Sequence, residues 1–169
     1  MITSVAFVSV LFSGVASPPS RLPARDTTFS CKQTPAENLL PSVIGPMAGS
    51  RPVWFVDDGD LLFWEHPEHP VKTLWVLSRT SAPVRITGNR VDGPGSVKFR
   101  RGQDEPIAEF VIADPSVASA IPAGASAEVM RAYAFIPSHV FYSSPGCWEF
   151  TVQVGSGAVR LVREIKPAR

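Results

Sequence analysis

The densest gathering of metal-ligating side chains in this chain is His66-Pro67-Glu68-His69-Pro70, with Glu65 just before it. Imidazole nitrogens flanked by carboxylates, with His139 as a further nitrogen, are the donor types that suit Zn²⁺ or Cu²⁺. The spacing argues the other way. Histidines at i and i+3 converge on one ion from a helix, and Pro67 and Pro70 disfavour a helix here. In an extended segment the two rings point apart. A polar, proline-stiffened loop between strands is therefore the preferred reading, and His66 and His69 remain as the metal candidates. Asp57-Asp58-Gly59-Asp60 sets three carboxylates in four residues. Such oxygens suit Ca²⁺, but the distal glutamate of an EF-hand is missing. A tight hairpin accounts for the same Asp and Gly content.

Nucleophilic chemistry finds little footing. After residue 16 there is no G-x-S-x-G elbow and no S-x-x-K pair, and both cysteines are expected to be bonded. No glycine-rich phosphate loop precedes a helix, so nucleotide binding is disfavoured. The expectation is no catalytic residues, no cofactor and no enzyme. A hydrolase with a site dispersed over loops is the least favoured alternative. Lys98, Arg100 and Arg101 cluster at a strand end, where charge protects a sheet edge from pairing; an anionic polymer such as a cell-wall glycan is the functional counterpart. Trp54, Phe55, Phe63, Trp64 and Trp75 make the N-terminal half aromatic-rich. Trp54 and Trp64 flank the proposed hairpin and would form a ligand platform for sugar or protein if exposed. A sandwich this size needs large core residues, so burial of most of these aromatics is preferred.

The elements that must position these residues follow from composition and pattern. The chain has 169 residues, 44% apolar and 18% charged, with 17 prolines and 12 glycines. That is one domain's worth of globular sequence. So many prolines exclude a helical bundle, and a net charge of +1 carries no footprint for nucleic acid. From Val53 onward, short β-prone segments alternate with turn signals, as in a sandwich. The candidates are 53–57, 61–64, 72–79, 83–88, 96–100, 107–112, 129–136, 147–154 and 158–165. Trp148, Phe150, Val152 and Val154 form the clearest period-two row, opposite Glu149, Thr151 and Gln153. Gly155-Ser156-Gly157 reads as the hairpin to the next strand, and Pro145-Gly146 as the centre of a type II turn. Asp114-Pro115 predicts a brief capped helix. Thr34-Pro35-Ala36-Glu37 predicts one helical turn from a capping box, and 42–52 reads as loop.

Met1 to Ser17 carry no charged side chain, and Val5 to Val15 are almost wholly apolar. That stretch falls short of the roughly 20 residues a membrane helix needs. It fits a signal peptide cut after Ala16, although only the α-amine supplies its positive end. The mature chain would then have no membrane span. It would keep Cys31 and Cys147 as an even pair, for which a disulfide is the default in an oxidising compartment. Closing so long a loop is worth about 4–5 kcal/mol in the chain-entropy model. Two unpaired buried thiols are the competing reading. By parity Cys147 lies on the polar side of its strand, away from the Trp148 row. The bond is thus expected to tie the N-terminal segment to the outside or edge of the sandwich.

Leu74-Trp75-Val76, Pro83 to Pro94, Ile136-Pro137-Ser138 and Ser144-Pro145-Gly146-Cys147-Trp148-Glu149-Phe150 occur in an order that resembles a group of small exported bacterial proteins. In those proteins a C-terminal immunoglobulin-like domain closes in a P-G-C-W/Y motif. The resemblance spans Leu74 to Ile165, implies an immunoglobulin-like sandwich, and brings no activity with it. The expected organisation is a signal peptide over 1–16, a Pro-rich leader and irregular segment over 17–52, and an all-β, immunoglobulin-like antiparallel sandwich over 53–169. The expected role is a secreted, periplasmic or cell-envelope binding module, a monomer whose partner is an envelope protein or glycan. The alternative is an envelope metal-binding protein using His66 and His69.

Overall fold

The computed structural model describes residues 29–57, 63–79 and 82–168. The proposed signal peptide and Asp58-Gly59-Asp60 lie outside the described residues. Eleven strands and two short helices follow one another in the chain. They are β1 (Ala36–Glu37), β2 (Met47–Ser50), β3 (Val53–Val56), β4 (Phe63–Trp64), β5 (Val71–Ser78), β6 (Val84–Arg90), β7 (Val97–Arg100), β8 (Phe110–Ile112), α1 (Pro115–Ala118), α2 (Ala127–Ala132), β9 (Tyr133–Tyr142), β10 (Gly146–Val154) and β11 (Gly157–Pro167). One sheet has the order β1-β2-β3-β5-β9-β7 and the other β4-β11-β10-β6-β8. Every pairing is antiparallel except β4 beside β11. The result is the two-sheet, all-β architecture that the alternating pattern predicts.

Period-two side chains from both sheets meet in one core. Trp148, Phe150 and Val152 of β10 are fully buried, as are Phe55 of β3 and Trp75 of β5. Phe150 is the hub, with ring centroids 5.8 Å from Phe55 and 5.5 Å from Trp75. Such aromatic pairs add about 0.5–1.5 kcal/mol each beyond the area they bury. Trp75 satisfies its indole by donating from Nε1 to Ser138 Oγ at 3.0 Å. Gly155 has φ 58° at the first position of the two-residue turn joining β10 to β11, where glycine reaches positive φ without a steric penalty.

Several local expectations give way to tertiary contacts. Residues 129–136, expected as a strand, divide into α2 and the start of β9. Ser126 Oγ accepts from Val129 N at 3.2 Å, and Glu128 and Arg131 complement the helix ends. The loop expected over 42–52 contains β2, because Met47 and Ala48 are both fully buried. Thr34 does not cap a helix: Val162 N donates to its Oγ1 at 2.8 Å, and Thr34 N donates to Val162 O at 2.9 Å. Gly146 opens β10 rather than centring a type II turn. A Cβ there would fall 2.6 Å from Arg90 Nε. That guanidinium also donates to Asp92 at 2.6 Å and holds the Asp92 carboxyl below its usual range.

Cys31 and Cys147 are bonded, with Cα atoms 5.5 Å apart and 116 residues between them in sequence. Cys147 sits on the outer face of its sheet, opposite in parity to Trp148. From this anchor the N-terminal segment passes along β11 through Thr34, joins the other sheet as β1, and continues into β2. Beneath it, Arg163 of β11 points inward and is almost fully buried. Its guanidinium pairs with Asp57 and donates from NH1 to Thr34 O at 3.2 Å. Asp57 is thereby a structural partner.

Two predictions follow from these ties. A Cys31→Ser/Cys147→Ser protein loses about 2–5 kcal/mol of unfolding free energy, read from its denaturant midpoint; an unchanged midpoint would refute the staple. Asp57→Ala strands a buried guanidinium and costs about 3–5 kcal/mol, whereas Asp57→Leu combined with Arg163→Met costs far less. Equal losses in the two proteins would show that the pair does not act as a unit.

Candidate functional site: a cationic row on the six-stranded sheet

The outer face of the six-stranded sheet is covered over only part of its area. Met47, Trp54, Val56, Val76 and Phe135 form a second buried cluster there. It is roofed by Leu39, Leu40 and Ile44 of the N-terminal segment and by Val129 and Met130 of α2. Trp54 is 4% exposed, and its ring packs edge-on against Tyr133 at 5.9 Å. It is therefore no exposed platform, because the face that carries it is itself a core. Trp64 packs against the main core, and its Nε1 donates to Tyr142 O at 2.9 Å. Its polar handle is thus occupied. The preference for burying these aromatics is correct for Trp54, Phe55 and Trp75.

Beyond the roof the same face turns cationic. Val140 and Tyr142 of β9 point inward, so His139 and Phe141 point outward. The register sets Lys72 of β5 opposite His139 and Arg100 of β7 on its other side. Lys98 lies opposite Phe141 by the same register. Three strands thus set Lys72, His139 and Arg100 in one transverse row, with neighbours about 4.5–5.5 Å apart at Cβ. The Arg100 guanidinium lies 5.1 Å from the Phe141 ring centroid, within cation–π range. Among the described residues, no carboxylate pairs with Lys72, Lys98 or Arg100. Arg100 Nε and His139 Nδ1 are buried without a hydrogen-bond partner. Burial first, and then the charges of Arg100 and Lys72, push the His139 imidazolium toward deprotonation, so its pKa falls below the usual value.

Where His139 is deprotonated, Lys72 and Arg100 stand on either side of a neutral ring, and a buried donor left without a partner carries a penalty. An anion seated on the row would pair with Lys72 and Arg100. Between this row and the roof runs a groove of about 330 Å³, whose lining includes Ile44, Val56, Leu74, Pro137, Thr73 and Lys72, with Gly45.

The other sequence candidates are placed as follows. His69 N donates to His66 O at 3.0 Å. This turn brings the two rings together, tilted 34° with centroids 3.8 Å apart, rather than letting them diverge along an extended chain. Glu68 N donates to His66 Nδ1 at 3.3 Å, and Glu65 engages His69 Nδ1. Among the described residues, no group of three or more His, Cys, Asp or Glu is placed to hold a metal ion. Arg101 leaves the basic cluster: it donates from NH2 to Ala118 O at 2.8 Å and pins α1. Lys72 and His139 take its place. No local signal links them, because they lie 67 positions apart and meet through strand register alone.

Comparison with known proteins adds no neighbour: no protein-family model, curated protein or solved structure matches this chain. No helix among the described residues is long and apolar enough to cross a membrane.

The row makes a titration prediction. His139 titrates below the ordinary histidine value of about 6.5, and Lys72→Ala or Arg100→Ala raises it toward that value; ring-proton NMR shifts against pH read this directly. Between the depressed folded value and the unfolded value, the unfolded chain binds the extra proton. The His139 contribution to stability is therefore complete above about 6.5 and is lost as pH falls through that window. A wild-type His139 titrating at or above 6.5 would overturn the assignment.

Proposed function

We propose that this chain is an exported, non-enzymatic binding module of the cell envelope, an immunoglobulin-like monomer that recognises an anionic envelope ligand. The observation that carries this reading is the Lys72–His139–Arg100 row, extended by Lys98 and without a carboxylate partner among the described residues. Lys72 and Arg100 flank His139 on neighbouring strands, where one anionic group could pair with both. Export is supported by the disulfide, a feature of oxidising compartments, and by the uncharged apolar stretch at the N-terminus. The partner class is then an acidic glycan or an acidic protein surface, held by charge-assisted hydrogen bonds. The close approach of the His66 and His69 rings sustains a second reading, a metal-binding envelope protein, which requires metal retained through desalting and lost from a His66→Ala/His69→Ala variant.

The test of the main reading uses dextran sulfate as an anionic probe and uncharged dextran as its control. The wild-type chain binds dextran sulfate in calorimetry, more weakly as salt rises, and does not bind dextran. Replacing Lys72 and Arg100 by alanine weakens binding about tenfold or more, while Lys166→Ala on the far sheet leaves it unchanged. Equal affinity for all three proteins would remove the row as the site.

A further inference from the structure

We infer that the ligand of this face is a single-chain amphiphile: an acyl tail lying in the groove beside the N-terminal segment, and an anionic head on Lys72, His139 and Arg100. The inference rests on the anionic reading above and adds the tail. The groove is lined by the apolar Ile44, Val56, Leu74 and Pro137 together with Gly45, Thr73 and Lys72. Leu74 and Pro137 face one another across β5 and β9, and Lys72 and His139 do the same two residues along. Apolar wall and cationic row are therefore separated by only about 7 Å along the strands. A volume of about 330 Å³ lies at the lower end of small-ligand sites, which are typically apolar with a few placed polar groups. An extended polyanion would engage the row and leave this groove empty. An uncharged chain would fill the groove and leave the cations unpaired. A molecule with both parts satisfies both surfaces.

Gly45 provides the way to separate tail from head. It lines the groove, and a Cβ built on it meets nothing within 4 Å. A larger side chain there projects into open space without disturbing the row.

The test uses the full exported chain, disulfide intact, titrated with decanoate by calorimetry and by NMR. Decyl maltoside serves as a tail without charge, and acetate as a charge without a tail. Decanoate is expected to saturate the protein and to shift resonances of both Leu74 and His139. The two partial probes should bind at least tenfold more weakly. Affinity should rise by up to about fourfold per methylene from hexanoate to decanoate. Gly45→Phe should cut decanoate affinity at least tenfold yet still bind dextran sulfate, which shows that the variant is folded. Lys72→Ala combined with Arg100→Ala should lose both ligands. If dextran sulfate binds the row but decanoate does not, or Gly45→Phe leaves decanoate unaffected, the tail assignment falls and the anionic reading stands. If neither probe binds, both fall. Adsorption to anionic vesicles without uptake of decanoate would likewise overturn the tail assignment.

Discussion

A sheet with apolar side chains on both faces cannot stand in water with one face bare, and β3 imposes this condition here. All four of its residues, Val53 to Val56, are buried. Val53 and Phe55 face the opposing sheet, whereas Trp54 and Val56 face outward and need cover of their own. That cover comes from the segment around Leu39 to Ile44 and from α2. The segment stays in place because its start is bonded to Cys147 and its backbone is tied to β11 through Thr34. The disulfide, the strap along β11 and the second apolar cluster are three parts of one solution to the amphipathy of β3.

Where the cover ends, the face changes character. The roof reaches Leu74 but not Lys72, and the exposed remainder of β5, β9 and β7 carries cations in register. Charge is handled in opposite ways at two places in the fold. Arg163 is buried and receives a carboxylate and a carbonyl, although its Nε has no partner. Lys72, His139 and Arg100 are more exposed and have no carboxylate partner among the described residues. Water screens the charges of Lys72 and Arg100, and Arg100 Nε and His139 Nδ1 are buried without partners, as are Arg163 Nε, Tyr142 OH and Trp148 Nε1 in the interior.

Much of the core was legible residue by residue. The alternation of Trp148, Phe150 and Val152 against Glu149, Thr151 and Gln153 identified β10, its inward face and the outward placement of Cys147. The glycines after it marked the hairpin to β11, and Asp114 marked the start of α1. Local pattern was misleading where a second surface competes for the same residues. Thr34 has the form of a helix cap but meets the free edge of β11 first. Residues 127–132 carry β-compatible apolar positions, yet Ser126 supplies a cap, and Val129 with Met130 gain more by roofing Trp54.

The sequence by itself determined the period-two strands, the Cys31–Cys147 pairing as the default for an even pair, and the low chance of helix in so proline-rich a chain. These depend on neighbours along the chain and on chemistry that each residue carries alone. The candidate site is of another kind. Lys72, Arg100 and His139 become a row only when β5, β9 and β7 align side by side. Trp54 ceases to be a platform only when a distant segment is laid over it. Strand register and the covering of a face are relations between residues remote in sequence, and the chain settles them only by folding.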